Sequence, residues 1–136
     1  MPPELRDEVL EWLAKARTDL RAAEVLGAGG QPLLGVACLE CQQCAEKALK
    51  AFLVSRQTPF RKSHNLGYVL DLCAAIDGEF ECLRPAAKVL TPYAWDFRYP
   101  GRRPDPDPDE AGEALRLARE VMRFAITRLP PEARET

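Results

Sequence analysis

Apolar residues recur every three or four positions along most of the chain, which is the spacing of the buried face of an amphipathic helix. No segment carries the alternation of apolar and polar residues that a half-buried strand needs. Pro92 should kink or divide the helix in which it falls, because proline cannot donate a backbone hydrogen bond. The sequence therefore predicts an all-α fold. The expected helices span residues 4–26, 32–54, 65–76, 81–97 and 108–129.

Residues with turn and capping preferences mark the ends of these helices. A glycine-rich segment at 27–30 ends the first helix, and Asp107 followed by Pro108 is a typical start for the last. Pro59 ends the second helix before a polar loop. Connections this short favour antiparallel neighbours, so we predict an up-and-down four-helix bundle with an additional short helix.

Two loops carry the candidate chemistry. Alternation of the first four helices would place the loop after the second helix and the loop after the fourth at the same end of the bundle. Guanidinium groups offer paired donors to phosphate, and a tyrosine ring offers a stacking face, so a phosphate-bearing ligand would suit this end. His64 and Arg98 are the candidates for a catalytic role. The five predicted ligand-binding residues are Arg61, Lys62, His64, Arg98 and Tyr99.

These residues also have structural interpretations. Arg102 and Arg103 precede three aspartates, so the second loop could be a solvated, charge-balanced segment. His64 stands at a helix start, where it could cap or pack, although an imidazole also titrates near neutral pH as a general base must. Arg98 could pair with a neighbouring acid. The residues alone leave both interpretations open.

Composition narrows the class of protein. The 136 residues are 46% hydrophobic and 29% charged, as in one globular domain, which we expect over 1–136 with a core at about 4–129 and a frayed tail at 130–136. A net charge of -2 argues against a general nucleic-acid coat protein. No apolar run approaches the ~20 residues that cross a bilayer. Residues 1–7 lack an apolar secretion segment, so we expect a cytoplasmic protein without membrane association.

Three of the five cysteines form two overlapping Cys-x-x-Cys pairs, at Cys38, Cys41 and Cys44. A structural zinc site needs four ligands, usually presented by tight turns. These three lie within a predicted helix, where cysteine is a common small core residue. We therefore predict core packing and no metal site. No Gly-rich phosphate loop or dinucleotide motif is present, so no cofactor is predicted.

Five segments taken in order resemble one family. They are Trp12–Leu20, Cys41–Lys50, Lys62–Leu66, Leu90–Tyr93 and Arg98–Pro100. Together they resemble the HEPN domains, named for higher eukaryotes and prokaryotes nucleotide-binding, in the bacterial and archaeal branch with an Arg-Tyr-Pro motif. The resemblance implies a four-helix up-and-down bundle with an additional short helix, commonly a homodimer. It also implies a toxin–antitoxin-like pairing with a small nucleotidyltransferase.

Many HEPN toxins are metal-independent ribonucleases, whose signature is an arginine and a histidine separated by four to six residues. His64 is the only histidine of this chain, and Arg56 and Arg61 precede it with seven and two intervening residues. The chain therefore departs from that signature, which favours a non-catalytic module over an enzyme.

Three hypotheses follow from the sequence. The first is a HEPN-type module that binds a nucleotide or RNA-like ligand together with a nucleotidyltransferase partner. The second is a ribonuclease that uses His64 and Arg98 in a rearranged site. The third is a non-catalytic helical adaptor, in which Trp95, Phe97 and the Ala/Cys-rich face of the second helix form a dimer seam.

Overall fold

The computed structural model describes residues 1–134, and every regular element in that range is helical. The all-α prediction is confirmed. Short 3₁₀ turns at Gly78–Leu83 and Thr91–Ala94 flank the fourth α-helix, and another at Pro131–Ala133 follows the fifth. The α-helices are α1 (Pro3–Gly27), α2 (Leu34–Ser55), α3 (Leu66–Ile76), α4 (Arg84–Leu90) and α5 (Pro108–Thr127).

The first two helices pack against each other in opposite directions. Lys47 of α2 donates to the Asp19 carboxylate of α1 at 2.6 Å, while Lys50, farther along α2, has its Nζ 6.0 Å from the ring centre of Trp12, which comes earlier in α1. This pairing makes α2 the central helix of the domain, since α1 covers one flank and the later helices cover the others.

The short helix α3 runs beside α2 in the same direction, contrary to the predicted alternation of the first four helices. The Gln42 amide donates to the His64 carbonyl at 2.8 Å, and the Cys73 thiol lies 3.7 Å from the Leu49 carbonyl oxygen. α2 and α3 therefore run parallel. The reason is that the loop after α2 folds back along α2 before α3 begins, which a count of loop residues does not reveal.

Pro92 divides the fourth predicted helix instead of merely bending it. The α-helical part ends at Leu90, and a 3₁₀ turn carries the chain through Ala94. The predicted boundary at residue 97 was wrong, because Pro92 lacks the backbone N–H that would continue the α-helical hydrogen bonding. Trp95 and the two residues after it consequently form a turn rather than a helical face.

α4 runs opposite to α2. Phe80, before α4, packs on Phe52 near the end of α2 with ring centres 4.5 Å apart. Phe97, after α4, lies against Gly35 at the start of α2, where an added Cβ would stand 2.9 Å from the Phe97 Cβ. Glycine at this position therefore allows the chain after α4 to approach α2 closely.

The last helix begins as the sequence predicts, because the Asp107 carboxylate accepts the backbone N–H of Glu110 at 2.8 Å. α5 runs parallel to α2: the charge of Glu110 acts on Cys38, and farther along both helices the sulfur atoms of Met122 and Cys44 lie 3.8 Å apart. The four elements α1, α2, α4 and α5 thus alternate in direction. The predicted up-and-down four-helix bundle is confirmed, with α3 as the additional short helix.

The segment after α5 folds against α1 over part of the range predicted to fray. Ala133 is fully buried, and Arg6 Nε donates to the Glu132 carbonyl at 3.0 Å. The structure of residues 130–134 thus differs from the predicted frayed tail, because the apolar Ala133 anchors a 3₁₀ turn there. Residues 135–136 of the predicted tail lie outside the described residues.

Candidate functional site

A row of three buried polar side chains runs along α2. Gln42, Glu46 and Lys50 are spaced four residues apart, so they lie on one face of the helix, and they are only 0%, 4% and 5% exposed. Buried charged groups are rare unless they are paired. We name these three residues the α2 polar row.

Glu46 is the centre of this row and accepts hydrogen bonds on both carboxylate oxygens. Oε1 is 2.9 Å from His64 Nδ1 and 3.2 Å from Gln42 Nε2, and Oε2 accepts from Lys50 Nζ at 2.8 Å. Burial acts to raise the pKa of the Glu46 carboxyl, but the hydrogen bonds from Lys50 and His64 outweigh it, and the pKa is lowered. Glu46 is therefore a buried carboxylate held in its charged form.

The α2 polar row fixes the position of His64. Gln42 donates to the His64 carbonyl, and Lys50 Nζ also donates to the Ser63 carbonyl at 3.2 Å, so the backbone as well as the ring is held. The His64 side chain remains 42% exposed. Within residues 1–134 only Nδ1 has a hydrogen-bond partner, which leaves Nε2 to meet a ligand. An imidazole oriented by a carboxylate in this way is the arrangement of a general base.

Aromatic rings close the other side of Lys50. Its Nζ lies 5.4 Å from the ring centre of Phe60 and 6.0 Å from that of Trp12, and these two rings pack edge to face. The rings shield the Lys50–Glu46 pair from water, which strengthens its electrostatic attraction.

Arg61 and Lys62 lie on the surface next to this network. The Arg61 guanidinium sits over the ring of Tyr68 in α3, 3.9 Å from the ring centre, and the Arg61 backbone N–H donates to the Tyr68 hydroxyl at 3.0 Å. Both residues are exposed, and neither has a carboxylate within 4.0 Å in the described part of the chain. Their charges are thus available to a ligand.

Arg98 and Tyr99 are also exposed, in the turn that follows α4. Tyr99 is 56% exposed. The positive charge of Arg98 acts on Glu40 of α2, where it favours the carboxylate, although burial and the charge of Asp19 nevertheless raise the pKa of Glu40. Arg98 makes no ion pair within 4.0 Å among residues 1–134. Its neighbour Phe97 packs on Gly35, which places this turn beside the first half of α2.

The two candidate loops do not meet at one end of the bundle, and that expectation was wrong. His64 contacts Glu46, whereas Phe97, next to Arg98, packs on Gly35, eleven residues earlier on α2, which is about 16 Å of helix rise. The segments are joined where the Leu66 backbone N–H donates to Thr91 Oγ1 at 3.2 Å. Within residues 1–134 no hydrogen bond or ion pair joins residues 61–64 to the side chains of Arg98 or Tyr99. The candidate residues thus lie along one flank of α2.

The neighbouring arginines of the second loop are neutralised, but by partners other than the three aspartates that follow them. Arg102 Nε lies 3.5 Å from the Asp96 carboxylate, and Arg103 forms a two-point pair with Glu110 at 2.6 and 2.8 Å. The Tyr93 hydroxyl donates to the same Glu110 at 2.8 Å. The Arg103–Glu110 pair ties the loop to α5, whereas Arg102 pairs with an acid in the turn that follows α4.

The prediction of core packing for the helical cysteines is confirmed. Cys38, Cys41 and Cys44 are buried as free thiols, and burial raises the pKa of Cys38 and Cys44 to about 12, so they remain protonated. No cluster of three or more metal-ligating side chains exists among the described residues. The same burial contradicts the use of the Ala/Cys-rich face of α2 as a dimer seam, since that face is already packed inside the chain.

None of the described helices is long and apolar enough to cross a membrane.

Sequence reasoning missed Gln42, Glu46 and Lys50 as site residues. The spacing of four places these residues on one face of the predicted helix, but Glu40, Gln43 and Lys47 are polar as well, so the sequence does not show which polar face is buried. Such a row indicates a hydrogen-bonded network only once it is known to be buried. Its partner, His64, lies 18 residues beyond Glu46, and only the folded loop reveals the contact.

Comparisons with known proteins agree with this architecture. The family model "HEPN domain" matches residues 9–129. The crystal structure of TT1696 from Thermus thermophilus has 34% sequence identity and a TM-score of 0.75, covering 89% of this chain and 98% of its own. The crystal structure of ST0689, an archaeal HEPN homologue, has 23% identity and a TM-score of 0.70, covering 90% and 98%. A comparison with curated proteins gives no match.

Proposed function

The chain belongs to the HEPN domain family, and on that premise we propose that it is a cytoplasmic module that binds a nucleotide or RNA-like ligand along the flank of α2. In this proposal Arg61, Lys62 and Arg98 hold phosphate, Tyr99 stacks on a base, and His64 donates or accepts a hydrogen bond through Nε2.

One observation carries the proposal. Arg61, Lys62 and Arg98 are exposed cations with no carboxylate within 4.0 Å in residues 1–134, whereas the nearby Arg102 and Arg103 are paired. A cation without an internal partner gains more from a bound phosphate than a cation that must first give up a carboxylate. The difference in pairing therefore favours the flank of α2 over the 102–110 segment as the phosphate-binding surface.

The proposal includes a homodimer and a small nucleotidyltransferase partner, as in a toxin–antitoxin-like pair. This part is supported by the family resemblance alone. Co-expression with a small nucleotidyltransferase, if the neighbouring reading frame encodes one, followed by size-exclusion chromatography with light scattering, tests both associations. A monomer that does not bind the nucleotidyltransferase would contradict this part of the proposal without touching the ligand claim.

Calorimetric titration with ATP and with a short single-stranded RNA tests ligand binding. We expect the double variant R61Q/R98Q to bind at least about 10-fold more weakly than wild type, because each lost guanidinium–phosphate contact is charge-assisted. The matched control is R116Q, an exposed arginine of α5 that pairs with Glu113. Equal affinity of wild type and the double variant, or no binding by wild type, would refute the proposal.

A ribonuclease remains a second candidate because of the Glu46–His64 hydrogen bond. A carboxylate-oriented imidazole with a free Nε2 can accept the proton of an RNA 2′-hydroxyl. Incubation of the pure protein with RNA, beside H64A and E46Q variants, tests this function. Cleavage that is lost in H64A would support it, and cleavage that survives both substitutions would exclude this site as its source.

A further inference from the structure

A second cationic surface lies in a groove between α1 and α5, away from the flank of α2 described above. The groove has a volume of about 500 Å³, within the range of small-molecule sites. Four arginines line it, Arg17 and Arg21 from α1 and Arg119 and Arg123 from α5. None of its lining residues belongs to the loops that carry Arg61 or Arg98. We name this feature the α1–α5 groove.

The α1–α5 groove has an excess of positive charge. Glu24 is the one carboxylate that lines it, and it pairs with Arg119 at 2.7 Å and with Arg21 at 3.7 Å. Arg17 and Arg123 have no carboxylate within 4.0 Å in the described residues. Four guanidinium groups against one carboxylate leave about three uncompensated charges at the groove, which suits a multivalent anion.

Arg17 gives an independent indication of a missing partner. Its Nη1 is buried and has no hydrogen-bond partner in the described part of the protein. A buried donor without an acceptor is energetically unfavourable, so such groups are usually satisfied by water or by a ligand. Arg17 also lines the groove, so a rotation of its side chain on binding would bring this shielded donor to an anion seated there.

The floor of the groove is apolar. Leu20, Met122 and Ile126 form it, and an adjoining surface groove shares Arg17 and Arg21 with it. An apolar floor beside guanidinium groups suits a ligand that has both an anionic head and an apolar body. Phosphate monoesters fit the head better than carboxylates, since they carry about -1.5 to -2 charges near pH 7 and three acceptor oxygens.

We propose that the α1–α5 groove is a second ligand site, which binds a small phosphate monoester with an apolar or aromatic body. Arg17 and Arg123 hold the phosphate, and Met122 and Ile126 contact the body. The site is independent of the proposed ligand surface on α2, so either can exist without the other.

Calorimetric titration with phenyl phosphate at low ionic strength tests this site. We expect saturable binding by wild type, and at least about 10-fold weaker binding by R17Q and by R123Q, because each removes a charge-assisted contact. Inorganic phosphate should bind more weakly than phenyl phosphate, since it lacks the body that covers the apolar floor. Arg123 is exposed and unpaired in the described chain, so R123Q is expected to fold normally even if R17Q does not.

Three further variants separate a ligand site from a merely structural cluster. E24Q should bind phenyl phosphate several-fold more tightly, because it removes the carboxylate that competes for Arg119 and Arg21. R116Q changes an exposed arginine of α5 outside the groove and should bind phenyl phosphate like wild type. The R61Q/R98Q variant should also bind it like wild type. Absence of saturable binding by wild type, or wild-type affinity in a folded R123Q, would overturn the proposal. Loss of phenyl phosphate binding in R61Q/R98Q would assign the ligand to the α2 surface instead.

Discussion

The α2 polar row and the α1–α5 groove handle charge in opposite ways. In the row, one buried carboxylate, Glu46, receives hydrogen bonds from Gln42, Lys50 and His64. In the groove, the single carboxylate pairs with two of the four guanidinium groups, and one buried donor has no acceptor among the residues described. Paired charges fix positions inside the protein, whereas unpaired ones are available to a ligand. The α2 polar row therefore holds the loop that carries His64 in place, and the α1–α5 groove is expected to bind an anionic ligand.

Removal of the Glu46 side chain is expected to have the largest effect on stability. E46A would leave Lys50 buried without its carboxylate, and breaking a buried ion pair in this way costs about 3–5 kcal/mol in the free energy of unfolding. Denaturant unfolding measures the change. E113A is the control, because Glu113 forms an exposed pair with Arg116 and its loss should have a far smaller effect on the free energy of unfolding. Equal effects of the two substitutions would contradict the contrast.

Lowering the pH should weaken the α2 polar row, because the Glu46 carboxylate becomes protonated. The pKa of Glu46 in the folded protein lies below its ordinary value of 4.5, so its stabilisation is complete above that pH and is lost as the pH falls through the folded-state pKa. Replacement by glutamine removes this titration. Unfolding measured from pH 6 down to pH 3 should show a shallower decline for E46Q than for wild type, and parallel curves would exclude Glu46 as a contributor.

A smaller loss of stability is expected from removing the hydrogen bond between Tyr93 and Glu110, which lies where the 102–110 segment joins α5. Y93F removes the hydroxyl that donates to Glu110, while Arg103 still pairs with that carboxylate. The loss of one hydrogen bond should lower the free energy of unfolding by about 1 kcal/mol. Y99F is the matched control, because Tyr99 is exposed and makes no hydrogen bond through its hydroxyl in residues 1–134. A Y99F effect as large as that of Y93F would argue against this assignment.

The smallest effect on stability is expected for the proposed ligand-binding cations. Arg61 and Arg98 form no ion pairs with described residues, so R61Q/R98Q should change the free energy of unfolding by less than about 0.5 kcal/mol. Thermal and denaturant unfolding check this. A loss of several kcal/mol would mean that these arginines hold the fold, and their substitution could then not be interpreted as loss of a ligand contact.

Most of the fold could be predicted from the sequence because helix periodicity is a local property. The start of α5 at Pro108 and the break at Pro92 depend on neighbouring residues and backbone chemistry. The direction of α3 could not be predicted this way, since it depends on a loop that folds back along α2. The expected convergence of the two loops at one end failed for that reason.

The candidate site was only partly predictable. His64 was identified because it is the single histidine, but its orienting carboxylate Glu46 was not, since the contact spans 18 residues and a folded loop. In one of the two interpretations of the sequence the aspartates beside Arg103 neutralise it, whereas its carboxylate partner is Glu110 on α5. Pairing depends on which side chains the fold brings within reach, and sequence proximity is a poor guide to it.

The central claim is that nucleotide binds along the flank of α2, and backbone amide NMR during an ATP titration tests it most directly. The account predicts that resonances of Arg61, Lys62, His64, Arg98 and Tyr99 shift together with one dissociation constant. Shifts confined to the α1–α5 groove, or no shifts at saturating ATP, would contradict it.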